Sequence, residues 1–417
     1  MKRILFYTDT PGFGGAEKQM MLLAQFLKPL GYRVDLACAG YSELREHEAE
    51  LNEVFEEVHW IPATHKHDPR HFWALQKLLK KGGYDALHVH LWNPGAARYA
   101  FAAAGTVPLI TTEHDPFELT RFKKWVKRWC LKRTAKTIVI SRSGQELMAR
   151  EFPEMFANPV ELKKRLSVVH NGIDLDKFLD KLDSPSTLPT QSENAFSQIK
   201  SLIEMEHSFD NLDRKNDLLA NNGKHTGGKL KVTAVQPVSN LAKFTILCVA
   251  ELHERKGHRF LIEAFERLQS EINHLELILV GKGELEQELR EKYGKNRHIH
   301  FLGWRQDVPQ LMRASDVLVL PSLREAFGLV LVEAMASGTA VVATNNGGTV
   351  DIVEDGKSGF LVPPQSANRL ADAIRILIQN PRQKHDIEVA ALERVKNEFS
   401  AQKMAENTAR VYESILR

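Results

Sequence analysis

The chain has 417 residues, about three times a common domain length, so two domains are the starting expectation. Hydrophobic residues at 43% and charged residues at 26% exclude a disordered or fibrous chain, and a net charge of +3 is too small for a nucleic-acid-binding surface. Cys38, Cys130 and Cys248 are odd in number and widely spaced, which argues against a disulfide framework and for a reducing compartment. No signal-type h-region follows Met1-Lys-Arg, and no window of ~18 uncharged apolar residues occurs. A soluble, cytoplasmic protein is therefore expected.

Short apolar runs at 4–8, 34–39, 86–90, 109–112, 137–140 and 167–170 read as buried strands, mostly separated by helical patterns such as 16–30. The pattern restarts at 244–250 and continues through 275–280, 300–302, 317–321, 340–343 and 359–362. Such alternation predicts an α/β protein with two doubly wound, Rossmann-like parallel sheets. The expected boundaries are 1–180 for a first unit, 181–243 for a polar insertion or linker with one short helix near 195–205, and 244–400 for a second unit. A terminal helix fills 401–417, and the pattern leaves open which unit it packs on.

Ligands of open α/β sheets sit beyond the carboxyl ends of the strands. After the first strand comes Pro11-Gly-Phe-Gly-Gly-Ala-Glu17, either a glycine-rich anion site at a helix start or simply a tight turn. After 317–321 comes Ser322-Leu-Arg-Glu-Ala-Phe-Gly-Leu-Val-Leu-Val-Glu333. There Gly328 opens a helix whose amides near Phe327, Gly328 and Leu329 suit a diphosphate. Glu325 and Glu333 can accept from sugar and ribose hydroxyls. Arg255 and Lys256 follow the strand at 244–250 and can supply phosphate cations.

This stretch resembles the retaining glycosyltransferases of family 4, a GT-B-fold family that uses nucleoside-diphosphate sugars. The resemblance rests on Glu325-x7-Glu333, Ala314-Ser-Asp-Val-Leu-Val-Leu-Pro-Ser322, Gly347-Gly348 and Asp355-Gly-Lys-Ser-Gly-Phe-Leu-Val362. In the first half it rests on Gly14-Gly-Ala-Glu17, Asp85-Ala-Leu-His-Val-His90, Thr112-Glu-His-Asp115 and His170-Asn-Gly-Ile-Asp174. It implies a transferase that moves a sugar to a glycan or lipid-linked acceptor, as in bacterial polysaccharide or lipopolysaccharide synthesis. By position, it implies that Glu333 holds the ribose and Glu325 the donor sugar, and that Arg255, Lys256 and the Phe327–Leu329 amides hold the diphosphate. Gly14 and Gly15 would close over the phosphates, Trp304 and Arg305 would lie near the base, and His114 would sit beside the reacting sugar. Glu251 stands where the family often has arginine, and Asp351 where glutamate is common.

Other patterns leave alternatives. His88, His90 and His114 fit no complete metal set, and Asp174-Leu-Asp176 is read as a turn or cap, so no metal or cofactor is expected. His65, His67 and His71 read as a solvated surface turn. Residues 119–136 carry eight basic residues, with Phe122, Trp125, Val126 and Trp129 at helical spacing. That face suits either an anionic membrane surface, making the protein peripheral, or packing on the sheet. Alternative functions are a nucleotide-sugar 2-epimerase-like enzyme or a catalytically weak paralogue that binds a nucleotide sugar.

Overall fold

The computed structural model describes residues 1–9, 14–65, 67–90, 97–114, 120–156, 158–179 and 243–416. The expected short helix near 195–205, and nearly all of the insertion, lie outside these residues.

The first sheet contains β1 (Lys2–Thr8), β2 (Tyr32–Ala39), β3 (Val58–Ile61), β4 (Ala86–His90), β5 (Leu109–Glu113), β6 (Lys136–Val139) and β7 (Leu166–Val168). Its order is β3-β2-β1-β4-β5-β6-β7. The second contains β8 (Phe244–Val249), β9 (Leu275–Val280), β10 (Ile299–Phe301), β11 (Val317–Leu320), β12 (Ala340–Thr344) and β13 (Phe360–Val362), in the order β10-β9-β8-β11-β12-β13. Every strand pairing is parallel. Central strands such as β4, β9 and β12 are buried along their whole length, because helices cover both faces.

Each unit has its own apolar core, and three further features join the units. The helix Ala401–Glu413 returns to the first unit, where Met404, Ala405 and Tyr412 pack with Ile4, Phe6 and Met20. Just before it, Ile173 bridges to Ser400: Ile173 N donates to Phe399 O at 2.9 Å, and Ala401 N donates to Ile173 O at 2.8 Å. Ile140, Ile173 and Phe178 from the first unit share one buried cluster with Phe327, Leu331 and Phe399 from the second. Among the described residues no helix is long and apolar enough to cross a membrane. All three cysteines are free and buried.

Two details differ from the sequence reading. β3 is an additional edge strand. His71 is fully buried on the inner face of helix Arg70–Gly82, where its Nε2 shares a 2.6 Å hydrogen bond with the Tyr7 hydroxyl.

Candidate active site between the two sheets

The loop after β11 carries Glu325. Its Oε2 accepts from Lys256 Nζ at 2.7 Å and from Ser322 Oγ at 3.0 Å, and both charged side chains are mostly out of water. Such burial is tolerable because each charge meets its opposite. Lys256 closes the short turn Glu254–Lys256 after β8, and Leu323 N donates to Arg255 O at 2.8 Å, so the two loops are tied together. The glycine pair after β12 locks Glu325 in place. Gly347 has φ +66°, and a Cβ there would collide with the Glu325 carbonyl. Gly348 N donates to that same carbonyl at 3.1 Å.

Gly328, with φ +101°, caps helix Leu329–Ala336, so the Leu329 and Val330 amides precede the first bonded donor of the helix, Leu331 N to Gly328 O at 2.9 Å. Phe327 is buried against His170 and Phe399, with ring centroids 5.8 and 6.0 Å away. Glu333 lies further along the helix. Burial pushes its carboxyl above the usual range, opposed by the Lys18 ammonium from the first unit. It borders a hollow of about 420 Å³ that Lys18, Gln25 and Lys177 also line.

The remaining expected residues sit as follows. Arg255 donates to Glu251 Oε2 at 2.9 Å, so the unusual glutamate faces the cation beside it. Arg305 makes two 2.9 Å hydrogen bonds to Asp307, and Trp304 is 63% exposed. Gly14 and Gly15 are exposed at the start of helix Gly15–Leu27, where Gly14 N donates to Glu17 Oε2 at 2.8 Å. Pro11, Gly12 and Phe13 of that motif lie outside the described residues.

His114 follows β5, buried, and among the described residues no hydrogen-bond partner meets either ring nitrogen. Burial pulls its pKa down to about 4, so the imidazole is neutral near pH 7. His90 lies between it and His88, at centroid distances of 5.9 and 4.0 Å. His88 in turn shares hydrogen bonds with Tyr412 OH at 2.6 Å and Thr112 Oγ1 at 2.7 Å. The structure thus brings Lys256 and Glu325 into contact, while Glu333 and His114 border hollows of their own.

Three contributors were missed in the sequence. Ser322 steadies Glu325. Lys18 faces Glu333, and the only hint was its place four residues after Gly14. Asp351 was noted only as a substitution, yet it crosses between the units: Oδ2 accepts from Arg142 N at 2.5 Å and lies 3.6 Å from His170 Nε2.

Among the described residues, Asp35, Glu57 and His59 place potential metal-ligand atoms within 4.8 Å of one another. Arg3 already meets Asp35 at 2.6 Å there, and Tyr84 OH donates to the same carboxylate at 3.0 Å. Asp35 and His59 lie in the amino-terminal halves of β2 and β3 and Glu57 just before β3, away from the loops above.

Helix Arg121–Arg133 divides its apolar residues. Val126, Cys130 and Leu131 pack inward, whereas Phe122 and Trp125 are 70% and 61% exposed and stack at 6.3 Å. Lys127 pairs with Glu113 at 2.6 Å in the interior.

Comparison with known proteins adds a second line. Residues 13–177 match the family "Glycosyltransferase Family 4", and residues 233–394 match "Glycosyl transferases group 1". A phosphatidyl-myo-inositol mannosyltransferase of Mycolicibacterium smegmatis is 36% identical over 428 aligned residues, covering 98% of this chain and 91% of that protein. The UDP-Gal:alpha-D-GlcNAc-diphosphoundecaprenol alpha-1,3-galactosyltransferase of Escherichia coli is 27% identical over 315 residues, 72% of this chain and 68% of that protein. The crystal structure of Anabaena HepE in complex with UDP superimposes with a TM-score of 0.73 at 22% identity, covering 99% and 100% of the two chains.

Proposed function

The chain belongs to glycosyltransferase family 4, with the GT-B fold, and from that premise we propose that it transfers a sugar, with retention, from a nucleoside-diphosphate sugar to a glycan or lipid-linked acceptor in bacterial cell-surface glycan synthesis. The observation that carries this reading is the buried Lys256–Glu325 contact, held by glycine-dependent loops beside the open start of helix Leu329–Ala336. A lysine ammonium has three donors, so Lys256 can keep Glu325 and still meet a phosphate oxygen.

In this reading Glu325 orders the donor sugar's hydroxyls and Glu333 the ribose. Lys256, Arg255 and the amides of Phe327, Gly328 and Leu329 hold the diphosphate, with Gly14 and Gly15 above it. Trp304 and Arg305 flank the base, and neutral His114 offers a hydrogen bond to the sugar. The bond from the anomeric carbon to the phosphate oxygen breaks. The acceptor oxygen attacks the same face, and its proton passes to the departing phosphate oxygen. Side-chain cations and helix amides absorb the developing charge without a metal; losing one such donor typically costs about 10²–10³-fold in rate.

The acceptors for which those two relatives are named, a phosphatidylinositol and a diphosphoundecaprenol-linked sugar, are lipid-borne. Exposed Phe122 and Trp125 on a basic helix fit that class, resting the enzyme on the cytoplasmic face of an anionic membrane.

The test is product stereochemistry. UDP-, GDP- and ADP-sugars are first ranked by thermal shift, because a bound donor raises the melting temperature. The best donor is then turned over with a membrane lipid extract, and the product's anomeric carbon is assigned by NMR. Retained configuration with release of the nucleoside diphosphate is expected. An inverted product, or free epimerised sugar without glycoside, contradicts the proposal.

A further inference from the structure

Among the described residues, every polar partner of the Asp351 carboxylate comes from the first unit. Oδ2 accepts from Arg142 N at 2.5 Å and lies 3.6 Å from His170 Nε2, while Oδ1 lies 3.7 Å from Arg142 Nε. Arg142 opens helix Arg142–Glu151, so its amide has no intrahelical acceptor and points out at the positive end of the helix dipole. The carboxylate side chain is only 1% exposed, and a charge-assisted hydrogen bond is strong where water is excluded.

The other side of Asp351 leads to Glu325. Asp351 sits on the single turn Thr349–Ile352, directly after Gly347-Gly348. Its backbone N donates to Gly348 O at 3.0 Å, and Gly348 N donates to Glu325 O at 3.1 Å. Thr349 Oγ1 ties the turn to the end of β12, donating to Thr344 O at 2.5 Å. Arg394 holds it from behind, with Nη2 donating to Asp351 O at 2.8 Å and Nε to Ile352 O at 2.7 Å. A turn pinned this way has little freedom of its own, so the place of helix Arg142–Glu151 is felt at Glu325. His170 fills the space between the carboxylate and the Phe327 ring, 5.8 Å from it between centroids.

We propose that Asp351 is a positioning residue: its hydrogen bond to the Arg142 amide clasps the first unit to the loop that holds Glu325, and turnover depends on that clasp while nucleotide binding does not. The inference rests on the glycosyltransfer reading above, because transfer needs both units at one spacing. In that reading UDP is gripped by Lys256 and Glu333, which are not members of the clasp.

The experiment separates the Arg142 amide from its side chain. Proline is well tolerated at the first position of a helix and has no N–H, so Arg142→Pro deletes the bond to Asp351, whereas Arg142→Ala keeps it. The Arg142 side chain is 75% exposed, so neither change empties a core. Turnover is measured with the donor that ranks first by thermal shift and the membrane lipid extract, and UDP affinity by calorimetry. Arg142→Pro and Asp351→Ala should each lower kcat about tenfold, with donor KM and UDP affinity within about twofold of native. The double variant should fall no further than either single one, because both remove the same bond. Arg142→Ala should stay within about twofold of the native kcat, and Asp351→Asn, which keeps an acceptor oxygen, should recover most of the loss. Native turnover in Arg142→Pro, an equal loss in Arg142→Ala, additive losses in the double variant, or UDP binding that weakens in step with kcat overturns the proposal. A second measurement needs no donor: in Asp351→Ala the Arg142 amide should exchange with deuterium at least about tenfold faster than in the native chain, and equal exchange overturns the clasp. Absence of product with every donor overturns the glycosyltransfer reading instead, and the exchange rates still decide the clasp.

Discussion

Lys256 and Arg255 are adjacent cations in different circumstances. Lys256 meets Glu325 with both groups largely desolvated, whereas Arg255 meets Glu251 at the surface, each about half exposed. An exposed pair of that kind contributes roughly 0.2–1 kcal/mol, which a doubly charged diphosphate easily outbids. On the proposed reading, Glu251 competes with the donor for Arg255 without displacing it. Glu251→Gln should tighten nucleoside-diphosphate affinity by about two- to fivefold in a calorimetric titration; unchanged or weaker binding would contradict the pairing. At this scale the sequence was legible where two side chains that meet each sit in a short motif after a strand, as for Lys256 and Glu325. It was silent where partners lie far apart, as for Asp351 and Arg142, 209 residues away from each other. His71 was misread from its company. Histidine and arginine neighbours suggest solvent, yet His71, Leu75 and Leu79 repeat at helical spacing and share the buried face.

Elements were legible wherever burial on both faces produced an uninterrupted apolar run; Ala86–His90 and Leu275–Val280 have the expected bounds. β3 escaped notice because an edge strand needs no such run, and His59 and Trp60 break its pattern. The basic helix shows the limit of periodicity. Phe122, Trp125, Val126 and Trp129 fall within one broad stripe, but only the tertiary packing decides that Val126 turns inward while Phe122 and Trp125 remain outside. That division yields a test. The chain should cosediment with phosphatidylglycerol vesicles at low salt, and Phe122→Ser with Trp125→Ser should remove most of the binding. Because both rings are exposed, the melting temperature should hold within about 2 °C. Equal sedimentation of the double variant would rule out this helix as the membrane contact.

At the scale of the molecule, the repeated strand–helix alternation foretold two like sheets, and both have the doubly wound order. The alternation could not say where the last helix goes, because an amphipathic helix fits any apolar groove of suitable width. Ser400 pairs with Ile173 and Tyr412 reaches His88, so the chain ends on the unit where it began, and the two units are joined by packed apolar side chains. That joint sets the first unit opposite the loops that carry Lys256 and Glu325 and the helix that carries Glu333. The account stands on those loops gripping a nucleoside diphosphate, and titrating UDP into the native chain and into Lys256→Ala and Glu333→Ala addresses it most directly. The native chain should bind, and each substitution should weaken the affinity by about tenfold or more, as expected for the loss of a charge-assisted hydrogen bond. Identical UDP affinity in all three proteins would contradict it.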